Sequence, residues 1–392
     1  MKKNVCMIAY TNYLYDARVR REAETIASCP DYEVSILALK EADEPKAYKV
    51  EGVKVIELDT KKYKGTSKVG LLFSHLKFIY QSFLKYNEML FSRKLDVIHV
   101  HNMPNFLVFA ALIPRLLGKK VILDIHDSTP ETYFAKYGDS HNRFIYKILC
   151  FEEALCCRFA HKLICVNHPQ RNILVNRGIP TEKIIVSMNL PDPKWFSIDE
   201  KKGKFKDRHD KFRMVYHGTI SNRLGVDLAI QAVAKLAENN SDIEFNILGV
   251  GDGVQECTDL VKKLGADNVV HINNKMIPLE NLLAYLEDMD LGIVPNRRNI
   301  ATELMLPVKL LEYVTLGIPV VVSRLPAIEY YFTPDMVSYF EPENFESMMS
   351  AILDLYKNES RRREKAENAK AFIKKYNWPD HQLDLINLYR NL

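Results

Sequence analysis

The sequence predicts an α/β protein built from two doubly wound, parallel-sheet domains in tandem. Three observations carry that prediction. Short β-branched runs alternate with longer amphipathic segments through most of the chain. The short runs are predominantly apolar, as strands covered on both faces are, and the intervening segments are long enough for crossover helices. The alternation also comes as two series, separated by a proline-containing, charge-dense stretch.

In the first series, strands are expected at 5–10, 34–39, 53–58, 97–100, 121–124, 163–166 and 184–187. Helices fit at 16–28, 104–117, 142–157 and 168–176. Pro191 and Pro193, then the charges from Asp199 to Lys211, suit a linker or exposed loop. The second series has strands at 213–217, 245–248, 269–272, 291–294 and 320–323, with helices near 226–238, 253–264 and 308–316. The domains are therefore 1–190 and 213–378, joined by a linker at 191–212. Residues 360–375 read as a solvated, charge-rich helix. In 379–392, Leu383, Ile386, Leu388 and Tyr389 form an apolar stripe that needs a surface, and it is expected to pack back on the first domain. In doubly wound domains, ligand-contacting loops lie at the carboxyl ends of the strands.

Composition excludes several classes. With 392 residues, 47% hydrophobic and 27% charged, the chain is globular and too long for one ordinary core. A net charge of +4 is too slight to announce a nucleic-acid partner, so none is expected; anionic ligands and lipid head groups remain open. No apolar run approaches the roughly 20 residues of a spanning helix. Thr11 and Asn12 cut the apolar start too early for a signal peptide, and a cytoplasmic location is expected, with the inner membrane face left open. The seven cysteines include no Cys-x-x-Cys pair and read as small buried hydrophobes of a reducing compartment.

The chemistry concentrates in 306–323. Pro307 suits a first helical position, Gly317 a C-terminal stop and Pro319 the entry to a buried strand. Lys309 then sits in a first turn, where backbone N–H groups and the helix dipole favour an anion. Glu312 lies three residues on along the same face, about 4.5 Å down the axis. That offset fits the step from a nucleotide's phosphates to its ribose hydroxyls. Spacing alone also permits a surface ion pair. Two further stretches add to the first reading: His217-Gly218-Thr219 with Ser221-Asn222-Arg223-Leu224-Gly225 before a helix, and Gly249-Val250-Gly251-Asp252-Gly253 after a strand. The glycine run by itself indicates only a tight turn.

These motifs, in this order, resemble the donor domain of family-4-like glycosyltransferases of the GT-B fold. In the first half, 16–23, 96–102 and 124–127 resemble that family's acceptor domain. The resemblance runs from about residue 4 to residue 390. It implies two Rossmann-like domains facing a central cleft. It also implies retaining, metal-independent transfer of a hexosyl group from a nucleotide-diphosphate sugar to a saccharide or lipid-linked acceptor, as in cell-surface polysaccharide assembly. No cofactor is implied beyond the donor itself. By resemblance, Arg223 and Lys309 hold the diphosphate and Glu312 the ribose. Gly218, Thr219, Gly251, Asp252, Pro307 and Leu310 line the donor pocket. His126 reaches the cleft near the transferred sugar, with Asp16, Asn102 and Asp127 on the acceptor side. Three departures stand out: Leu304 replaces a glutamate, with Glu303 one place off; Leu224 replaces a basic residue, with Arg223 beside it; and Thr11-Asn12-Tyr13 replaces a Gly-Gly turn. A nucleotide-sugar epimerase of the same fold and a non-catalytic nucleotide-sugar binder are the alternatives.

Three other signals point elsewhere. His99 and His101 share a strand face, and with His126 and Asp127 they imitate a metal-hydrolase cluster; no metal is expected. Asp288-Met289-Asp290 precedes a buried strand and reads as loop chemistry. Residues 61–94 interleave eight basic residues with apolar ones, so this helix either packs on the sheet or contacts an anionic membrane.

Overall fold

In a computed structural model, residues 2–63, 65, 67–137, 143–196, 211–275, 277 and 279–392 are described. Most of the expected linker, 197–210, lies outside them, as do Lys64 and Asn142. The chain forms two compact domains, one of Met1–Asn189 with Pro379–Leu392 and one of Leu190–Trp378.

The first domain carries β1 (Lys3–Ile8), β2 (Tyr32–Leu39), β3 (Ala47–Val50), β4 (Val53–Leu58), β5 (Val97–His101), β6 (Lys120–Ile125), β7 (Lys162–Cys165) and β8 (Ile184–Val186). They form one sheet in the order β3-β4-β2-β1-β5-β6-β7-β8, parallel except for the antiparallel edge strand β3. Strand β3 escaped the sequence reading because its residues alternate between exposed and half-buried, the pattern of a solvated edge. One face of the sheet is covered by the helices Lys68–Phe91 and Arg143–Phe159, which bury Phe78, Tyr86, Cys156 and Cys157. The other face is covered by Ala17–Ser28 and by Trp378–Arg390, whose Leu385 and Tyr389 have no solvent exposure. Of the stripe read from 379–392, Leu388 and Tyr389 are buried in the first domain and Ile386 packs partly against them, whereas Leu383 stands 58% exposed.

The helix expected at 104–117 is a 3-10 segment, Asn105–Ala111, followed by a short α-helix, Leu112–Leu116. Pro114 lacks an N–H, and its ring crowds the carbonyl four residues back, so α-helical bonding cannot run through it from Ala110.

The second domain holds β9 (Phe212–His217), β10 (Ile243–Leu248), β11 (Val270–Asn273), β12 (Leu291–Val294), β13 (Val320–Ser323) and β14 (Ser338–Phe340). The order is β11-β10-β9-β12-β13-β14, all parallel. Strand order reverses between β9 and β12, so the loops leaving these strands diverge and open a crevice at their carboxyl ends. The helix Phe345–Lys357, absent from the sequence reading, starts at Asn344, whose side chain accepts from the Ser347 N–H at 2.8 Å. Its Met348, Ile352 and Leu355 are fully buried against the sheet.

Candidate active site

The crevice of the second domain gathers the residues singled out between 217 and 312. Strand β9 ends at His217, and Gly218 turns the chain with φ 104. From the loop after β12 rises the helix Val308–Thr315, entered through Pro307, which offers no capping side chain. Its first turn is thus left open to an anion. Lys309 folds back over the Tyr216 ring, with Nζ 3.9 Å from the ring centroid. A β-carbon at Gly218 would lie 3.6 Å from that Nζ, so turn and ammonium are in contact. Lys309 remains partly exposed. Burial pulls its ammonium down to about 7, Glu312 opposing the fall and Arg223 adding to it. Among the described residues, neither Lys309 nor Arg223 has a side-chain hydrogen bond or ion pair. Two cationic side chains within electrostatic reach of each other and without an ion-pair partner among the described residues are chemically suited to an anion.

Arg223 is held by its backbone. The 3-10 turn Asn222–Leu224 is fastened by Arg297, which donates its N–H to the Arg223 carbonyl at 3.0 Å and its guanidinium to the Asn222 carbonyl at 2.5 Å. The same guanidinium grips both Asp227 carboxylate oxygens at 2.7 Å. Gly225 follows with φ 65, and a β-carbon there would stand 2.0 Å from the Pro295 carbonyl oxygen. The loops after β9 and β12 therefore touch backbone to backbone. Leu224 is buried while Arg223 is partly exposed, so 223 is the position that presents a cation.

Glu312 is 7% exposed, and its Oε2 lies 2.6 Å from His217 Nε2. His217 Nδ1 is 2.9 Å from Tyr313 Oη, which also accepts the His217 N–H at 3.2 Å. A carboxylate can only accept, so Nε2 carries the proton, while Nδ1 shares a hydrogen bond with the Tyr313 hydroxyl, which also lies 3.4 Å from the Val215 carbonyl. His217 thus fixes the rotamer of Glu312 and leaves Oε1 for another donor. Among the described residues no donor occupies Oε1.

The remaining expected positions separate. Gly251 packs on the Ile220 carbonyl, where a β-carbon would come within 1.9 Å, and Gly253 donates to that oxygen at 3.1 Å. The glycine run is thus a close approach of the loops after β9 and β10. Gly218, Thr219, Gly251 and Asp252 are exposed on those loops. Leu310 is a correction: with no solvent exposure its side chain belongs to the core, because the helical turn that presents Lys309 aims the next residue at the sheet. Glu303, in the 3-10 turn Thr302–Leu304, lies 3.7 Å from Arg298 and is open to solvent.

The first domain holds a buried ionic cluster at the carboxyl ends of β5 and β6. Arg18 places Nε 3.0 Å and Nη2 2.8 Å from the two Asp124 oxygens, and Nη2 also lies 3.0 Å from Glu22. Asp124 Oδ2 meets His126 Nε2 at 2.8 Å and His101 Nδ1 at 3.1 Å. Burial works against the Asp124 carboxylate, but Arg18 and then His126 outweigh it and hold it well below the ordinary carboxylate range. Burial also opposes charge on His126, and Asp124 outweighs it, so the imidazole is raised above its ordinary value. His99 stacks on His101 at 4.3 Å and joins Nδ1 to Tyr389 Oη at 2.7 Å. Glu22, His99, His101 and Asp124 offer ligand atoms within 4.8 Å of one another. Arg18 already brings a full positive charge to both carboxylates of that set. Asp127, read on the acceptor side, is exposed. Asp16 accepts from the Val19 N–H at 3.1 Å and caps its helix, within electrostatic reach of His126. Asn102 accepts from the His126 N–H at 2.7 Å and donates to the Asp127 carbonyl at 2.8 Å, so it latches the loop after β6.

Comparison with known proteins assigns the two domains. Residues 197–372 match the family of glycosyl transferases group 1, and residues 19–193 match glycosyltransferase family 4. The chain belongs to the family-4-like glycosyltransferases. The chain is 25% identical over 196 residues to the amylovoran biosynthesis glycosyltransferase AmsK of Erwinia amylovora, covering 49% of this chain and 46% of that protein. The match thus spans about half of the relative's length. Among solved structures, sucrose-phosphate synthase from Thermosynechococcus elongatus superposes with TM-score 0.78 at 15% identity, covering 100% of this chain and 99% of the other. HepE of Anabaena, solved with UDP, superposes with TM-score 0.68 at 14% identity over 100% of both chains. These likenesses show the GT-B fold.

Several residues of the site escape the sequence. There His217 reads only as part of a turn, although a histidine closing a buried strand is a signal. Tyr216, Tyr313, Asp124, Glu22 and Arg297 act through contacts that no local spacing reveals.

Proposed function

We propose that this glycosyltransferase moves a hexosyl group from a nucleoside-diphosphate sugar to a saccharide or lipid-linked saccharide in cell-surface polysaccharide assembly, retaining the anomeric configuration and using no metal. One observation carries the reading: two cations without carboxylate partners, Lys309 and Arg223, stand beside a pre-oriented Glu312 where strand order reverses. Departure of the diphosphate builds negative charge. Lys309, Arg223 and the uncapped helix start at Pro307 are suited to stabilise it, which is the part a divalent ion would otherwise take. A phosphate in the crevice raises the Lys309 pKa and secures its charge. Glu312 Oε1 accepts from the ribose hydroxyls. Retention follows if the departing phosphate oxygen takes the acceptor's proton on the face it leaves. His126, held in place by Asp124 and raised in pKa, is proposed to hydrogen-bond the transferred sugar or incoming hydroxyl.

The names of AmsK and of the UDP complex of HepE support a polysaccharide product and a uridine donor as first candidates. A thermal-shift screen of UDP-, GDP-, ADP- and dTDP-sugars, with and without EDTA, tests the proposal. Stabilisation by one nucleotide class that survives EDTA is expected; no stabilisation by any donor, or its loss in EDTA, contradicts it. A non-catalytic binder is the second reading, favoured by Leu304 in place of a glutamate. Donor binding without turnover across an acceptor panel would select it.

A further inference from the structure

Most of the large apolar side chains that stand in solvent among the described residues lie on three segments of the first domain. The helix Lys68–Phe91 turns Phe78, Ser82, Tyr86 and Leu90 toward the sheet. Its opposite side is apolar as well: Leu72, Phe73, Leu76, Tyr80 and Leu84 are all exposed, Phe73 by 68%. A helix that only packs on a sheet needs one apolar stripe, and its outer face is ordinarily polar. The helix Arg143–Phe159 repeats the arrangement. It buries Glu153, Ala154, Cys156 and Cys157, while Phe144, Ile148, Phe151 and Leu155 recur at helical spacing on the solvent side. Between the two runs the segment Asn105–Ala111, which packs against both, and it leads into Leu112–Leu116 with Leu116 72% exposed. The three apolar stripes are therefore neighbours on the outside of one helical layer.

The charge of that layer is positive. Arg143, Lys147, Arg93 and Lys94 are exposed and make no ion pair among the described residues. The acids of the same segments are engaged: Glu88 pairs with Lys85 at 2.7 Å, Glu152 accepts from Asn105 at 3.2 Å, and Glu153 is buried and bound by Arg177.

We propose that this face docks on an anionic membrane surface, independently of the glycosyl transfer proposed above. The aromatic and leucine side chains enter the boundary between head groups and acyl chains, and the lysines and arginines meet lipid phosphates. No described helix is long and apolar enough to cross a membrane, so the contact lies on the surface. A second copy of the chain is a poorer occupant, because a two-fold contact would set these unpaired cations against themselves.

Flotation of the full-length protein with phosphatidylcholine vesicles, with and without phosphatidylglycerol, tests the proposal. The wild type is expected to float with anionic vesicles and to bind neutral ones at least about tenfold more weakly, the gap closing at high salt. Phe73→Glu and Phe151→Glu, at exposed positions, should each lower anionic-vesicle binding about tenfold with unchanged circular dichroism melting. Lys147→Glu with Arg143→Glu should lower it without touching the apolar stripes. Absence of binding to anionic vesicles overturns the proposal, as does binding that survives both phenylalanine changes. Lipid-free self-association abolished by those changes overturns it in favour of a dimer.

Discussion

His217 Nε2 stands 2.6 Å from Glu312 Oε2, so the last residue of β9 holds the carboxylate of the helix that follows β12. Two elements nearly a hundred residues apart in sequence are joined by one charge-assisted hydrogen bond at the mouth of the crevice.

Removing either partner leaves the other buried without its bond. His217→Phe and Glu312→Leu should each lower stability by about 1–3 kcal/mol in urea unfolding. Because both changes break the same bond, the double variant should lose less than the sum. Strict additivity would show that the contact contributes nothing.

Lys309→Ala and Glu312→Ala should each lower sugar transfer by at least about tenfold, roughly 1.4 kcal/mol of transition-state stabilisation. Leu310→Ala, by contrast, should act on stability alone, at about 2–5 kcal/mol, because its side chain is core. Steady-state rates beside urea melts separate the two classes.

Much of the fold is legible because buried strands announce themselves: residues 53–58, 291–294 and 320–323 stand where the apolar runs do. Strand β3 is not legible, because an edge strand needs no apolar face, and Pro114 breaks a helix that apolar spacing alone suggests. At the site, Lys309 and Glu312 can be read from helical spacing. Tyr216 beneath Lys309 and His217 behind Glu312 cannot, since those contacts come from strand order and not from sequence distance. Asp124 and Asp127 are three residues apart, but Asp124 lies inside β6 and meets Arg18, whereas Asp127 lies beyond the end of that strand and is exposed.

With the Lys309 ammonium pulled to about 7, UDP binding should depend on pH. Below that value the lysine is already charged and binds phosphate directly. Above it, binding must first draw in a proton, so affinity should fall by up to about tenfold per pH unit between pH 7 and 9. Lys309→Arg, which stays charged, should flatten the profile. Calorimetry across that range in buffers of different ionisation enthalpy reports the proton uptake.

Gly225→Ala should be severe for its size. A left-handed φ of 65 and a Pro295 oxygen 2.0 Å from the new β-carbon together require the loops after β9 and β12 to part. Strain at such a position costs about 1–3 kcal/mol before the clash is counted. A lowered melting temperature and weakened UDP binding should appear together, because Arg223 rides on the displaced turn.

The cationic pair is most directly tested by titrating UDP into the wild type and into Arg223→Met with Lys309→Met, whose fold is checked by circular dichroism. Loss of affinity by at least about a hundredfold in the double variant, about 2.8 kcal/mol, is the expected result. Wild-type affinity in a folded double variant would contradict the assignment of these two side chains to the donor's phosphates.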